Sequence, residues 1–430
     1  MAKKTKKPTA KKPAKPRQSH GMDVLIEELE GSIWVAGIQK GKLQSLEVDP
    51  YAEEVRWGSL FWAKVARIDA AQDAAFVNLD GENIGILYNA DVRIKNKNGS
   101  YKKGGDVAIG KLLKPGQMIA VQAKTAYLPK NPNEERAEDK NPKVTMNIVM
   151  HGRYMLYAPM EKENRVSRRI RDKGLRKQLM SMLDGMDDCE GCILRASAAN
   201  TQTDILKREA DILRLTWEQV QEHFVGDDPA LIMLGPDAIQ RTLSDNANRL
   251  VNRIELTTMD HFQHAEEWCE VFAPDLVTKI IPVEIENNEL DFGLFEFRDI
   301  IGSIEELFHP YIIMPTAATL IIQETAALTA IDVNSGADSR AHLAINLDAA
   351  AEVARQLRLR NMGGIIVIDF LRMKNKTERD KLEYALRIAF DEDPCTVEVH
   401  GFTAAGLMEV TRQRRTPPLQ ERFESAMAQQ

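Results

Sequence analysis

The sequence predicts a multidomain α+β protein, and three observations carry that prediction. At 430 residues the chain is too long for one compact core, so two to four domains are expected. Between residues 58 and 124 short apolar runs alternate with turn signals, the spacing of a small OB-fold barrel. Between residues 327 and 370 two apolar strands flank an arginine-rich helix, and each strand ends in an aspartate, Asp332 and Asp369.

Bulk properties narrow the class. No apolar run reaches the roughly 20 residues of a membrane span, so no membrane span is expected. The opening MAKKTKKPTAKKPAKPRQ has no apolar core and does not read as a secretory signal. Four cysteines make a disulfide framework a poor fit, and a cytoplasmic location is expected. Net charge is −7, yet residues 1–20 carry seven lysines, one arginine and no acid, which leaves the rest near −15. Such a Pro/Ala/Lys segment reads as a disordered basic tail, either an RNA-contacting arm or a solubilising extension.

Taken in order, residues 21–57 read as two or three antiparallel strands, from the runs at Val24 and Ile33. Residues 58–124 supply the barrel strands GSLFWAKVARI, DAAFVNLDG, NIGILYNADV and KPGQMIAVQAK, with Asp80-Gly81 as a hairpin signal. Residues 93–106 form a basic Gly/Asn loop carrying Tyr101, either a solvated tip or an RNA contact. Residues 128–143 read as a loop. A long helix is expected around 210–223. Residues 319–332 read as a hairpin turning near Glu324-Thr325, followed by a helix over 347–360 with Asn346 as its N-cap. Gly363-Gly364 ends that helix and leads into the strand reaching Asp369.

A carboxylate at a strand end sits where core gives way to solvent or ligand. Two of them on neighbouring strands can share one divalent cation, and magnesium favours one or two carboxylates plus waters and a phosphate oxygen. Asn334, two residues on in an extended segment, lies on the same side as Asp332. Arg412, Arg414 and Arg415 in TRQRR are candidate phosphate contacts or a solvated end. Arg355 and Arg358 are contacts or ion-pair partners. Cys189-Glu-Gly-Cys192 has no partner pair, so no zinc is expected there.

Three long stretches in order, ALTAIDVNSG, LDAAAEVARQLRLRNMGGIIVIDF and GLMEVTRQRRTPPL, closely resemble the catalytic core of the ribonuclease E/G family. The resemblance implies an RNase H-like subdomain (21–57 with 236–307), an S1-type OB-fold RNA-binding domain (58–143), a 5′-sensor domain (144–235) and a DNase I-like α/β catalytic subdomain (308–419), followed by a C-terminal tail (420–430). It implies an endoribonuclease that cuts single-stranded RNA with Mg2+ in RNA processing or decay. Asp332 and Asp369 would be the metal ligands, and Asn334 would position the first of them. Phe76, in Ala74-Ala-Phe-Val77, would stack on a base, with Lys140 near the same surface. Gly152, Arg195, Arg168 and Arg169 would form the 5′-phosphate pocket.

The departures from the family pattern matter as well. Ile86 stands where a second stacking aromatic is usual, Arg372 where an acid is usual, and Ala326 replaces a glutamate. Ala196 replaces a threonine beside Arg195. The cysteine pair that would follow TRQRRTPPL is absent from QERFESAMAQQ, so any homodimer would not be zinc-linked. The rival reading is a non-catalytic RNA-binding protein that keeps the ribonuclease E/G fold.

Overall fold

A computed structural model describes residues 21–29, 31–50, 53–97, 99–128, 141–186, 189–285 and 293–427. The basic tail over 1–20 lies outside these residues.

The N-terminal strands β1 (Met22–Leu29), β2 (Ser32–Gln39) and β3 (Lys42–Asp49) form an antiparallel meander. Lys40 and Gly41 join β2 to β3 with φ of 54° and 68°. Positive φ at both central residues is the two-residue hairpin turn that matches strand twist.

The barrel follows: β4 (Leu60–Asp69), β5 (Ala74–Asn78), β6 (Ile84–Tyr88), a side hairpin of β7 (Arg93–Lys95) and β8 (Tyr101–Lys103), then β9 (Met118–Ala123) and β10 (Lys143–Thr145). Pairing runs β4-β5-β6-β10-β9, and β9 closes back on β4, so no edge is left open within the five. Alternation puts Phe61, Val65, Val77, Leu87, Val121 and Val144 inside. Residues 144 and 145 therefore belong to the barrel, two residues beyond the boundary expected from sequence, because Val144 fills its core.

Next come β11 (Met150–His151), β12 (Met155–Tyr157), β13 (Arg165–Val166), α1 (Lys173–Asp184), β14 (Cys192–Leu194), α2 (Thr203–Gln221) and β15 (Ala230–Met233). The order β11-β12-β14-β13 makes a small sheet domain, while β15 adds to β4. The predicted long helix exists but starts at Thr203.

The chain then returns to the first sheet through α3 (Ala238–Asp245), β16 (Val251–Leu256), α4 (Met259–Phe272), α5 (Pro274–Val277), β17 (Ile280–Pro282), α6 (Leu294–Phe297) and α7 (Ile301–Glu305). The completed order is β17-β16-β1-β2-β3. Helices α3 and α4 cover one face and α6 and α7 the other, which is why β1 and β2 read as continuous apolar runs.

The C-terminal part is β18 (Tyr311–Ile313), β19 (Thr319–Glu324), β20 (Thr329–Asn334), α8 (His342–Leu359), β21 (Gly364–Asp369), α9 (Lys376–Ala389), β22 (Val397–Phe402), β23 (Met408–Arg412) and α10 (Leu419–Met427). Its sheet runs β18-β19-β20-β21-β23-β22, with β20 and β21 parallel across the α8 crossover.

Two expectations are corrected here. Helix α8 begins at His342, so Asn346 lies inside it and is no cap. Residues 420–427 are no tail: α10 packs on the first sheet, with the Phe423 ring 6.2 Å from Trp34 and the buried Arg422 donating to the Val48 carbonyl.

Candidate active site

The C-terminal sheet has one covered face and one open face. Ile331, Val333, Ile366, Ile368, Met408 and Val410 point into the core beneath α8 and α9. Strand alternation sends the intervening residues to the other side. There Asp332 and Asp369 are register partners across the parallel β20–β21 pair, and both side chains are exposed. Asn334, on the same face, donates from Nδ2 to Asp332 Oδ2 at 2.8 Å. Both aspartates lie at the carboxyl ends of parallel strands, where open α/β sheets bind ligands.

The supports of this pair are local. Gly336 follows β20 with φ +54°, and a Cβ there would come within 2.2 Å of the Ala317 carbonyl oxygen, so only glycine fits. The exit from β21 is held by Asn346, which is fully buried. Its Nδ2 donates to the Leu371 carbonyl at 2.7 Å, and its Oδ1 accepts from the Leu371 N–H at 3.0 Å. The residue read as a cap is thus the anchor of the loop that follows Asp369. The signal was present: it is a polar residue on the apolar stripe of its helix, and a buried amide must be bonded.

Arg372 is exposed three residues after Asp369, so a cation does stand where an acid was usual. Ala326 lies in the β19–β20 turn, at the opposite end of the strands from Asp332, so that change does not alter the charge at the carboxylates.

The donor set fits a hard cation. Two carboxylates and an amide-held geometry leave positions for water and phosphate oxygens. Among the described residues there is no cluster of three or more His, Cys, Asp or Glu that could hold a metal ion. The thiols of Cys189 and Cys192 are buried, and burial pushes that of Cys192 up to about 12.

The TRQRR expectation is corrected in part. Strand β23 runs antiparallel to β21, pairing Met408 with Ile368 and Arg412 with Gly364. The arginines therefore sit at the far end of β21, five residues or roughly 16 Å from Asp369 at the usual strand rise. Arg412 is no RNA contact. It is 2% exposed, and its guanidinium is saturated by Asp393, Asn361 Oδ1 and the Met362 carbonyl. Arg414 is partly exposed, 3.8 Å from Glu324. Arg355 and Arg358 donate to the Leu43 and Gln44 carbonyls and tie α8 to β3.

In the barrel, Phe76 points outward in a row with Arg67 on β4 and Ile86 on β6. The Arg67 guanidinium lies 3.7 Å from the Phe76 ring centroid, a cation–π contact over one face of the ring. Lys140 lies outside the described residues.

The residues expected around a 5′ phosphate do not all meet. Arg169 and Arg195 line one cavity together with Arg415, while Arg168 is exposed on the surface. Gly152 contributes its carbonyl, which accepts from Arg195 Nη1 at 3.1 Å. Arg169 donates to the Cys395 carbonyl at 3.0 Å, linking the small sheet domain to the C-terminal sheet. Arg195 also pairs with Asp245, a residue not singled out from sequence.

The Ribonuclease E/G family model matches residues 149–415. The chain is 31% identical over 404 residues to Ribonuclease E of Synechocystis, covering 89% of this chain and 56% of that protein. It is 28% identical over 397 residues to Ribonuclease E of Haemophilus influenzae, covering 90% and 41%. It is 27% identical over 403 residues to Ribonuclease G of Salmonella typhimurium, covering 91% and 80%. The chain thus spans about half the length of the two ribonuclease E relatives.

Proposed function

Because the chain belongs to the ribonuclease E/G family, we propose that it is an endoribonuclease, hydrolysing phosphodiester bonds of single-stranded RNA during RNA processing or decay. The observation that carries the reading is the register of Asp332 against Asp369, two carboxylates side by side on an open sheet face.

These carboxylates would hold Mg2+. When bound, such an ion neutralises the phosphodiester oxygens and lowers the pKa of a coordinated water. Asp332 and Asp369 supply the negative charge that retains it. Asn334 fixes the rotamer of Asp332 through its 2.8 Å hydrogen bond, so the carboxylate is oriented before substrate arrives. Asn346 holds the Asp369 loop from beneath. Hydrolysis at this site leaves a 5′ phosphate and a 3′ hydroxyl.

In family terms, the barrel is the S1-type RNA-binding domain, the small sheet domain the 5′ sensor, the first sheet the RNase H-like subdomain and the last the DNase I-like subdomain. Phe76 and Arg67 present a base-stacking surface, and Arg414 is a remote cation for the RNA backbone. Arg195 and Arg169, with the Gly152 carbonyl orienting Arg195, receive a 5′-terminal phosphate. A homodimer and a cytoplasmic location complete the proposal.

The test is cleavage of a labelled unstructured RNA titrated with magnesium. Asp332→Asn and Asp369→Asn are expected to abolish cleavage and leave RNA binding near the parent value. Turnover near wild type in either variant refutes the site, and RNA binding without cleavage by the unmutated chain favours the non-catalytic reading.

A further inference from the structure

Arg169, Arg195 and Arg415 line a cavity of about 340 Å³ at the junction of the small sheet domain with the first and last sheets. The acids on its rim are engaged elsewhere: Asp391 binds Arg171, and Glu392 binds Arg249. That leaves Asp245 as the lining carboxylate that bonds Arg195 and Arg415. Its Oδ1 lies 2.5 Å from Arg195 Nη2 and its Oδ2 lies 2.8 Å from Arg415 Nη1. Asp245 is the last residue of α3, where the helix dipole disfavours a negative charge. The two arginines outweigh both that dipole and burial, and they hold its carboxyl below the usual range. Arg415 is itself fixed by the Trp57 ring, 4.5 Å away.

Two oxygens bridging two guanidiniums is the arrangement a terminal phosphate monoester would also adopt. We propose that Asp245 is the specificity-determining residue of this cavity: it occupies Arg195 and Arg415, so a 5′-terminal phosphate binds only by displacing it. This rests on the 5′-phosphate reading above. The strength of 5′-end discrimination is then set by an exchange of one carboxylate for one phosphate on the same arginines.

The experiment uses the full chain with Asp369→Asn to prevent cleavage. The affinity ratio of 5′-monophosphorylated to 5′-hydroxyl versions of one unstructured oligonucleotide is measured by anisotropy. Asp245→Asn and Asp245→Ser are expected to raise the ratio about tenfold, the factor one charge-assisted hydrogen bond carries. Arg195→Gln is expected to bring it to one. If Arg195→Gln removes the preference while neither Asp245 variant raises it, the competition is refuted and the phosphate pocket stands. If Arg195→Gln leaves the ratio unchanged, the pocket reading fails and takes this inference with it. Melting curves with uridine 5′-monophosphate cover the case of a destabilised variant. A larger ligand-induced rise in Tm than in the parent supports the exchange. An equal or smaller rise, or a variant that does not fold even with the nucleotide, refutes it.

Discussion

Removing Arg412 separates a structural role from an RNA-binding one. The Arg412 side chain is 1% exposed and that of its partner Asp393 is 0% exposed. Nε and Nη2 donate to the two Asp393 oxygens at 2.8 and 3.1 Å, and Nη1 donates to Asn361 Oδ1 and the Met362 carbonyl at 3.0 and 2.8 Å. Burial alone would lower the Arg412 pKa, but Asp393 outweighs it and raises it. Arg412→Met therefore leaves a buried carboxylate without its cation, and breaking such a pair costs about 3–5 kcal/mol. For a unit of roughly 110 residues, about 4 °C per kcal/mol gives a fall of ~12–20 °C in the transition that melts the C-terminal sheet. Circular dichroism melting reads the fall, and anisotropy on a fluorescent RNA reads binding below the transition. The double variant Arg412→Met/Asp393→Leu is expected to recover much of the loss, since an apolar pair of similar volume is often neutral. An unchanged melting curve with RNA binding weakened by tenfold would refute the strut and restore Arg412 as a phosphate contact.

Other expectations follow from the same contacts. Asn346→Leu leaves the Leu371 N–H and carbonyl unpaired, about 1–3 kcal/mol each; cleavage should fall at least tenfold because Asp369 loses its anchor, and activity at wild-type level in a folded variant would contradict this. Ala196→Thr restores a hydroxyl beside Arg195, and the ratio of cleavage rates on 5′-phosphate and 5′-hydroxyl RNA should rise about tenfold. His151 packs 4.7 Å from Trp57, and burial, aided by Arg415 and Arg195, lowers its pKa to about 3. Because the folded value lies below the unfolded value of about 6.5, this histidine contributes stability above pH 6.5 that is lost as pH falls toward 3. His151→Phe should flatten that dependence by at most about 1.4 kcal/mol per pH unit, as read from urea unfolding at pH 7.5 and 5.5.

How much of this was legible in the sequence depends on whether each fact is local. The strand ending in Asp369 follows from the continuous apolar run Ile365–Ile368 set off by Gly363-Gly364, and its pairing with Asp332 follows from the strand–helix–strand connection, which favours parallel neighbours. The barrel strands were legible from their short apolar runs, whereas its fifth strand is three residues long, too short to show a pattern. The partner of Arg412 is Asp393, nineteen residues earlier across a hairpin, and no periodicity links them. Asn346 was misread because α8 starts after Ala341, which makes no side-chain cap, so the nearest asparagine looked like the start. The placement of TRQRR turns on strand direction alone. A place beside the aspartates would require β23 to run parallel to β21. The turn at Gly406, φ +92°, instead closes β22 and β23 as a hairpin, and β23 meets β21 antiparallel, which carries its C-terminal arginines to the amino end of β21. Arg415 thereby meets Asp245 and Trp57, and the separation of the two ends of one strand is what would divide the proposed cleavage at Asp369 from the proposed phosphate recognition at Arg195.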